Sequence, residues 1–212
     1  MRVACLFSGG KDSAFAVFWA LAQGFEPMLL TVRPEPYSEM FHHPNIGFTK
    51  LQAEAMGLEQ EIIEATEKNW EEKLTEALRE TKAEGLVTGA VASEFQRRRF
   101  ERICERLGIV SYSPLWHKKE ELLQEMLDYM EIYITAVSAE GLGKEWLGRP
   151  LEELVRAGPR NIDFFLEGGE GETFVADAPF FKKRVAIGGW NIEWDGVRGV
   201  ATIKDAKLED KS

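Results

Sequence analysis

The chain has 212 residues, enough to bury one sizeable core or one core with a smaller appendage. Its 36 acidic against 26 basic residues leave a net charge of −10, which argues against unaided binding to a nucleic-acid backbone and for a protein or small-molecule substrate. Cys5 and Cys104 form no disulfide framework, no apolar run spans a bilayer, and Met1-Arg2 leads straight into a strand, so the expectation is a soluble, unprocessed cytoplasmic protein without membrane or direct nucleic-acid partners.

The unbroken apolar run Val3 to Phe7 reads as a buried strand, and Ala14, Val17, Phe18 and Leu21 fall at helical spacing. Between them lies Ser8-Gly9-Gly10-Lys11-Asp12-Ser13. Strand, glycine turn and helix make an anion site, because the first N–H groups of a helix lack intrahelical partners and sit at the positive end of its dipole. Gly9 and Gly10 let a phosphate approach the bare main chain, Ser8 and Ser13 add hydroxyl donors, and Lys11 adds a full charge. The Walker A loop is excluded, since it places four residues between its first glycine and its Gly-Lys pair. The SGGKDS string instead resembles the loop of the N-type ATP pyrophosphatases, which split ATP into AMP and pyrophosphate. Asp12 either orients this loop or binds Mg²⁺.

Gly24 closes the first helix, and Pro27 to Val32 reads as a second buried strand. Residues 33 to 45 form a long loop holding three prolines, Tyr37, Met40, Phe41, His42 and His43. Adjacent histidines rarely face one ion together, so this loop is expected to contact ligand or lead into the next helix, which Asn45 can cap. Leu58 to Glu64 is the third strand, and Trp70, Leu74, Ala77 and Leu78 are a core-facing helical stripe. Gly85 to Ala90 is the fourth strand, and its Thr88-Gly89-Ala90 end is placed to face the same crevice as the first loop. Arg97, Arg98 and Arg99 follow on a helix, about 100° apart around its axis, so they form no single basic stripe. At least one can turn towards the crevice, while Glu101 and Glu105 are alternative partners on the same surface. After a fifth strand ending at Tyr112, Ser113-Pro114-Leu115-Trp116 marks the end of a doubly wound parallel α/β unit of about five strands.

The remainder is organised differently, as a smaller α+β unit ending in a β-hairpin. A helix at Lys119 to Tyr129 precedes a strand at Glu131 to Val137, and Leu151 to Ala157 is a short helix between Pro150 and Gly158-Pro159. Glu167-Gly168-Gly169-Glu170-Gly171-Glu172-Thr173 sets three carboxylates among three glycines, a loop suited to meeting a cation. Asp195-Gly196 predicts a two-residue hairpin turn pairing Trp194 with Val197 and Glu193 with Arg198, and the charged tail from about Lys207 is expected to be disordered.

SGGKDS, the run His42-His43-Pro44-Asn45, Thr88-Gly89-Ala90 with Ser93 to Arg99, Pro114-Leu115-Trp116 and EGGEGET occur in this order across nearly the whole chain. Together they resemble the diphthine-ammonia ligase family, which activates the carboxylate of diphthine, a modified histidine on elongation factor 2, with ATP and amidates it with ammonium. The resemblance implies an ATP pyrophosphatase domain over residues 1–117 and a substrate-binding domain over 118–212, with ATP and Mg²⁺ as cofactors. It implies catalytic roles for Lys11, Asp12 and Ser13, and nucleotide contacts at Ser8, Gly9, Gly10, Lys11, Asp12, Ser13, Thr31 and Gly89, with Asp12 as the metal ligand. Substrate contacts fall on Glu167, Gly168, Gly169, Glu170, Glu172, Thr173 and Arg97. The partners implied are elongation factor 2 and ammonium, and a homodimer is left open. A thiolating relative would need a catalytic cysteine pair, and a glutamine-dependent amidotransferase a further domain. An ATP-binding sensor without ligase activity is the alternative of a different class.

Overall fold

The computed structural model describes residues 1–33, 44–117, 119–138, 141–166 and 169–211. Strands β1 (Arg2–Leu6), β2 (Glu26–Arg33), β3 (Gln60–Glu64), β4 (Gly85–Val87) and β5 (Val110–Tyr112) form one parallel sheet in the order β3-β2-β1-β4-β5. The chain winds outward from β1 to β3, returns beside β1 as β4, and winds out the other way to β5. The reversal leaves a crevice beyond the carboxyl ends of β1 and β4, where open α/β sheets bind ligands.

Strand alternation explains why β1 reads as continuously apolar. Val3, Cys5 and Phe7 face a core shared with helix α1 (Lys11–Ala22) and helix α2 (Thr49–Met56), whereas Ala4 faces helix α3 (Trp70–Thr81) and helix α4 (Glu94–Leu107). The buried residues of α3 are Trp70, Leu74, Ala77 and Leu78, the stripe its periodicity predicts.

After helix α5 (Lys119–Tyr129) comes a second sheet of β6 (Glu131–Val137), β7 (Gly171–Asp177), β8 (Lys183–Trp194) and β9 (Gly199–Asp210), ordered β7-β6-β9-β8 and antiparallel at every pairing. Helix α6 (Leu151–Ala157) lies between β6 and β7 in the chain. This sheet packs on the α1 and α2 side of the first, and its Ile134, Val175, Val185 and Ile203 join the core that holds Cys5 and Phe15. Phe18 of α1 stacks on Phe180 with ring centroids 5.7 Å apart. Hydrophobic contact therefore runs unbroken across residue 117.

Three local expectations are corrected. The hairpin pairs Trp194 with Gly199 and Glu193 with Val200, a shift of two from the predicted register. Gly196, at φ +107°, takes the first central position of the turn, because the Asp195 carboxylate accepts the N–H groups of Val197 (2.8 Å) and Arg198 (2.7 Å) and the Asp195 N–H donates to the Arg198 carbonyl (3.0 Å). The tail from Lys207 is ordered strand rather than disordered: Lys207 pairs with Ala186, Leu208 packs against the core, and Lys211 meets the Asp177 carboxylate at 2.6 Å. Asn45 does not cap α2. A short 3-10 turn intervenes, and the Asn45 side chain donates to the Ala201 carbonyl (2.9 Å) and accepts from Ile203 N–H (2.8 Å), satisfying main-chain groups of β9 instead.

Candidate active site

The SGGKDS loop leaves β1 and enters α1 at the switch point. Gly10 stands at the N-cap position and brings no side chain of its own to cap the helix, so the positive end of the dipole is left to main chain and to Thr173. Gly9 takes φ +87°, a left-handed conformation that glycine adopts without strain. Gly89, just beyond β4, forms the opposite wall, so close that a Cβ on it would lie 2.7 Å from the Asp12 carbonyl carbon. The end of β4 thus packs main chain against main chain on the start of α1.

Lys11 is 2% exposed, and its Nζ lies 2.7 Å from Asp12 Oδ2 and 4.5 Å from the centroid of the Phe165 ring. Asp12 Oδ1 is buried with no hydrogen-bond partner. Burial pushes the Asp12 carboxyl above its ordinary range against the pull of Lys11, and the charge of Glu172 pushes it further. This orphaned oxygen suits a cation, although no three His, Cys, Asp or Glu side chains converge as a metal cluster among the described residues. A Mg²⁺ ion suits such a sparse protein site because it takes one or two carboxylates together with waters and substrate phosphates.

The acidic loop meets the SGGKDS loop. Thr173 Oγ1 accepts the Lys11 N–H at 3.1 Å, and Val175 N–H donates to the Gly9 carbonyl at 3.0 Å. Glu170 Oε2 accepts from Asp163 N–H at 3.2 Å, and its carbonyl accepts from Ser138 N–H at 2.8 Å. Gly169 accepts the Ser138 hydroxyl through its carbonyl. Glu167, Gly168, His42 and His43 lie outside the described residues.

Other candidates take different places. Ser13 Oγ donates to the Gly10 carbonyl at 2.9 Å and accepts Ser8 N–H at 3.2 Å, with Ser8 Oγ 3.3 Å away, so the two serines brace the loop from within. The side chain of Thr31, expected at the nucleotide, is wholly buried and engaged elsewhere: its hydroxyl donates to the Phe7 carbonyl (2.8 Å) and accepts from Gln60 (2.8 Å). Arg97 pairs with Glu101 at 2.7 Å and lies 4.5 Å over Trp116, so the structure joins it to its own helix and the following loop rather than to residues 8–13. Burial pushes the Cys5 thiol up to about 12 and the Cys104 thiol up to about 11, which leaves neither a thiolate nucleophile at neutral pH.

Two site residues escape the sequence reading. Phe165 covers Lys11 from 154 positions away, and nothing local separates it from an ordinary core aromatic. Gln52 is fully buried on α2, and its Nε2 donates to the carbonyls of Gly9 (2.9 Å) and Val175 (2.7 Å). Its one sequence signal is a polar residue in the apolar phase of a helix.

Two family models match the chain, the diphthamide synthase N-terminal domain over residues 1–111 and the diphthamide synthase C-terminal domain over residues 118–208. Similar sequences include the diphthine–ammonia ligase of Bos taurus, 32% identical over 250 residues covering 100% of this chain and 94% of the relative. That of Homo sapiens is 31% identical with the same coverage of both chains. That of Schizosaccharomyces pombe is 34% identical over 88% of this chain and 36% of its own length. A crystal structure of a predicted subunit of tRNA methyltransferase from Methanocaldococcus jannaschii shares the fold, with a TM-score of 0.50 and 16% identity over 84% of this chain and 97% of that one.

Proposed function

This chain belongs to the diphthamide synthase family and is a ligase, and we propose that its reaction is the ATP-dependent amidation of diphthine on elongation factor 2. The observation that carries the reading is the Lys11–Asp12 pair at the N-terminus of α1, with Lys11 buried and Asp12 partly so, where the acidic loop brings the Thr173 hydroxyl to the Lys11 N–H. Residues 1–117 serve the nucleotide and 118–212 the acceptor.

A diphthine carboxylate oxygen attacks the α-phosphorus, the bond from that phosphorus to the bridging oxygen breaks, and pyrophosphate departs. Ammonia then attacks the acyl carbon of the adenylate, AMP leaves with the C–O bonding pair, and the added nitrogen loses a proton to solvent. Charge concentrates on the leaving pyrophosphate, where the Lys11 ammonium and the helix N-terminus stabilise it without reorganising. Gly9 and Gly10 keep that end of the helix bare, while Ser8 and Ser13 hold the turn. Asp12 would hold Mg²⁺ there, which when bound would supply charge neutralisation at the phosphates.

Diphthine carries a trimethylammonium group, which donates no N–H bond and is recognised by negative charge and aromatic faces. Glu167, Glu170 and Glu172 supply the charge. The test combines ATP labelled in the α-phosphate with ammonium and diphthine-bearing elongation factor 2. Expected are AMP, pyrophosphate and amidated product in equal amounts, and ADP as the primary product would end the pyrophosphatase reading.

A further inference from the structure

Gln52 raises a question that its helix does not answer. A side-chain amide removed from water is unfavourable unless its polar atoms find partners. Asn45 meets that condition, with both ends of its amide bonded to β9. Gln52 does not: its Nε2 donates twice, but its Oε1 is buried and has no partner. An amide kept for stability alone would be satisfied at both ends or replaced by an apolar side chain of its size.

The groups held by its donors explain its place. The Gly9 carbonyl accepts from Gln52 Nε2 and from Val175 N–H, so two elements pin it. The Gly9–Gly10 peptide is planar and trans, so fixing that carbonyl sends the Gly10 N–H to the opposite side. No protein group accepts the Gly10 N–H among the described residues. Gly9 at φ +87° and its glycine neighbour permit several orientations of this peptide plane. A flip would aim a carbonyl, not a donor, at an anion lying at the start of α1. Gln52 also holds the Val175 carbonyl, which fixes β7 two residues after Thr173.

We propose that Gln52 is a positioning residue for the phosphate loop, locking the Gly9–Gly10 peptide with its N–H towards the nucleotide and coupling that orientation to the strand that carries Thr173. The inference rests on the ATP-ligase reading but can be judged apart from it, because ATP affinity is measured without the protein acceptor.

Gln52→Met keeps the length of the side chain and removes both donated bonds. Calorimetry on the folded variant should show ATP binding weakened at least about tenfold, and AMP formation at saturating ATP should fall at least about tenfold further. Gln52→Glu, whose neutral carboxyl keeps one of the two bonds, should lie between Gln52→Met and the parent. Leu78→Ala, a core truncation on the far face of the parallel sheet, lowers stability yet should leave both quantities unchanged per folded molecule. Two results would overturn the proposal: Gln52→Met within twofold of the parent in affinity and rate, or Leu78→Ala showing the same losses as Gln52→Met. If Gln52→Met loses ATP affinity while the parent never amidates diphthine, the role of Gln52 stands and the substrate reading falls.

Discussion

Gly89→Ala tests whether the two walls of the crevice meet at the main chain. The added methyl would stand 2.7 Å from the Asp12 carbonyl carbon, 2.8 Å from Ser13 N and 2.9 Å from the Asp12 oxygen. Ordinary contact is about 3.5–4.0 Å, so one wall must retreat by roughly 1 Å. No side chain can turn aside, since all three atoms are backbone. The helix cannot withdraw either, because Ala14, Phe15, Ala16 and Val17 seat it in the core. Overpacking of this kind costs about 1–3 kcal/mol. The displaced atoms belong to the loop proposed to receive the phosphates, and a shift of about 1 Å there should lower turnover by about 10²-fold. Guanidinium denaturation reads the first effect and AMP formation the second. Gly47→Ala, where an added methyl meets nothing within 4 Å, is the control. Stability within about 0.5 kcal/mol of the parent and turnover within about twofold would show that the walls are not in contact as described.

Other perturbations separate the parts of the site. Lys11→Ala removes the partner of the partly buried Asp12 carboxylate, whose Oδ1 already lacks one, a loss of about 1–3 kcal/mol. Single-turnover AMP formation should fall by more than ATP binding weakens, and an unchanged rate at saturating ATP would contradict the role given to Lys11. Glu170→Gln keeps an acceptor for Asp163 N–H while removing the charge, so ATP binding should survive while the KM for diphthine-bearing substrate rises about tenfold. Loss of ATP binding with normal handling of diphthine would assign the loop to the wrong ligand. In the second sheet, burial pushes the Glu131 carboxyl up, but hydrogen bonds from Arg184 and Tyr133 outweigh it and hold the group below its ordinary range. Its contribution is therefore complete above about pH 4.3 and lost as pH falls through the depressed value. Arg184→Met should flatten the acid limb of a melting-temperature profile, and an unaltered limb would remove Glu131 as its source.

The elements legible in the sequence are those whose evidence is local. The stripe Trp70, Leu74, Ala77 and Leu78 turns inward because helical spacing leaves it no other face, and the strand–turn–helix at Val3 to Leu21 follows from an apolar run broken by two glycines. Where partners are remote, local reasoning misjudges what a residue will choose. Asn45 has the chemistry of a cap, yet unsatisfied main chain at Ala201 and Ile203 recruits it instead. Asp195-Gly196 has the composition of a two-residue turn, but the Asp195 carboxylate reaches ahead to two N–H groups and moves the turn on by one position. The charges of the tail mask its alternation, in which Ala206 and Leu208 pack inward while Asp205, Lys207 and Glu209 intervene. Gln52 and Phe165 were illegible as site residues because their roles come from Val175 and Lys11, both more than a hundred positions away.

The meeting of the two loops also sets what charge the site can accept. Lys11 and Thr173, 162 positions apart in sequence, are joined by one hydrogen bond, and the same approach brings Glu172 within electrostatic reach of Asp12. Glu172 then adds its charge near Asp12, in a chain whose net charge is already −10. A triphosphate entering alone would bring more negative charge to a junction where one carboxylate is already held above its ordinary range by burial and by Glu172. A divalent cation arriving with the nucleotide would resolve this, because Asp12 Oδ1 is buried without a partner and the phosphates would complete the ligand set. ATP titrated in EDTA should bind at least about tenfold more weakly than with Mg²⁺, a difference of about 1.4 kcal/mol or more. Asp12→Asn should remove most of that difference by removing the anionic ligand, while preserving the size of the side chain and its proximity to Lys11. Equal affinity with and without Mg²⁺ in the parent would mean that Lys11 and the helix N-terminus balance the phosphates unaided, and that the burial of Asp12 serves the loop rather than a metal.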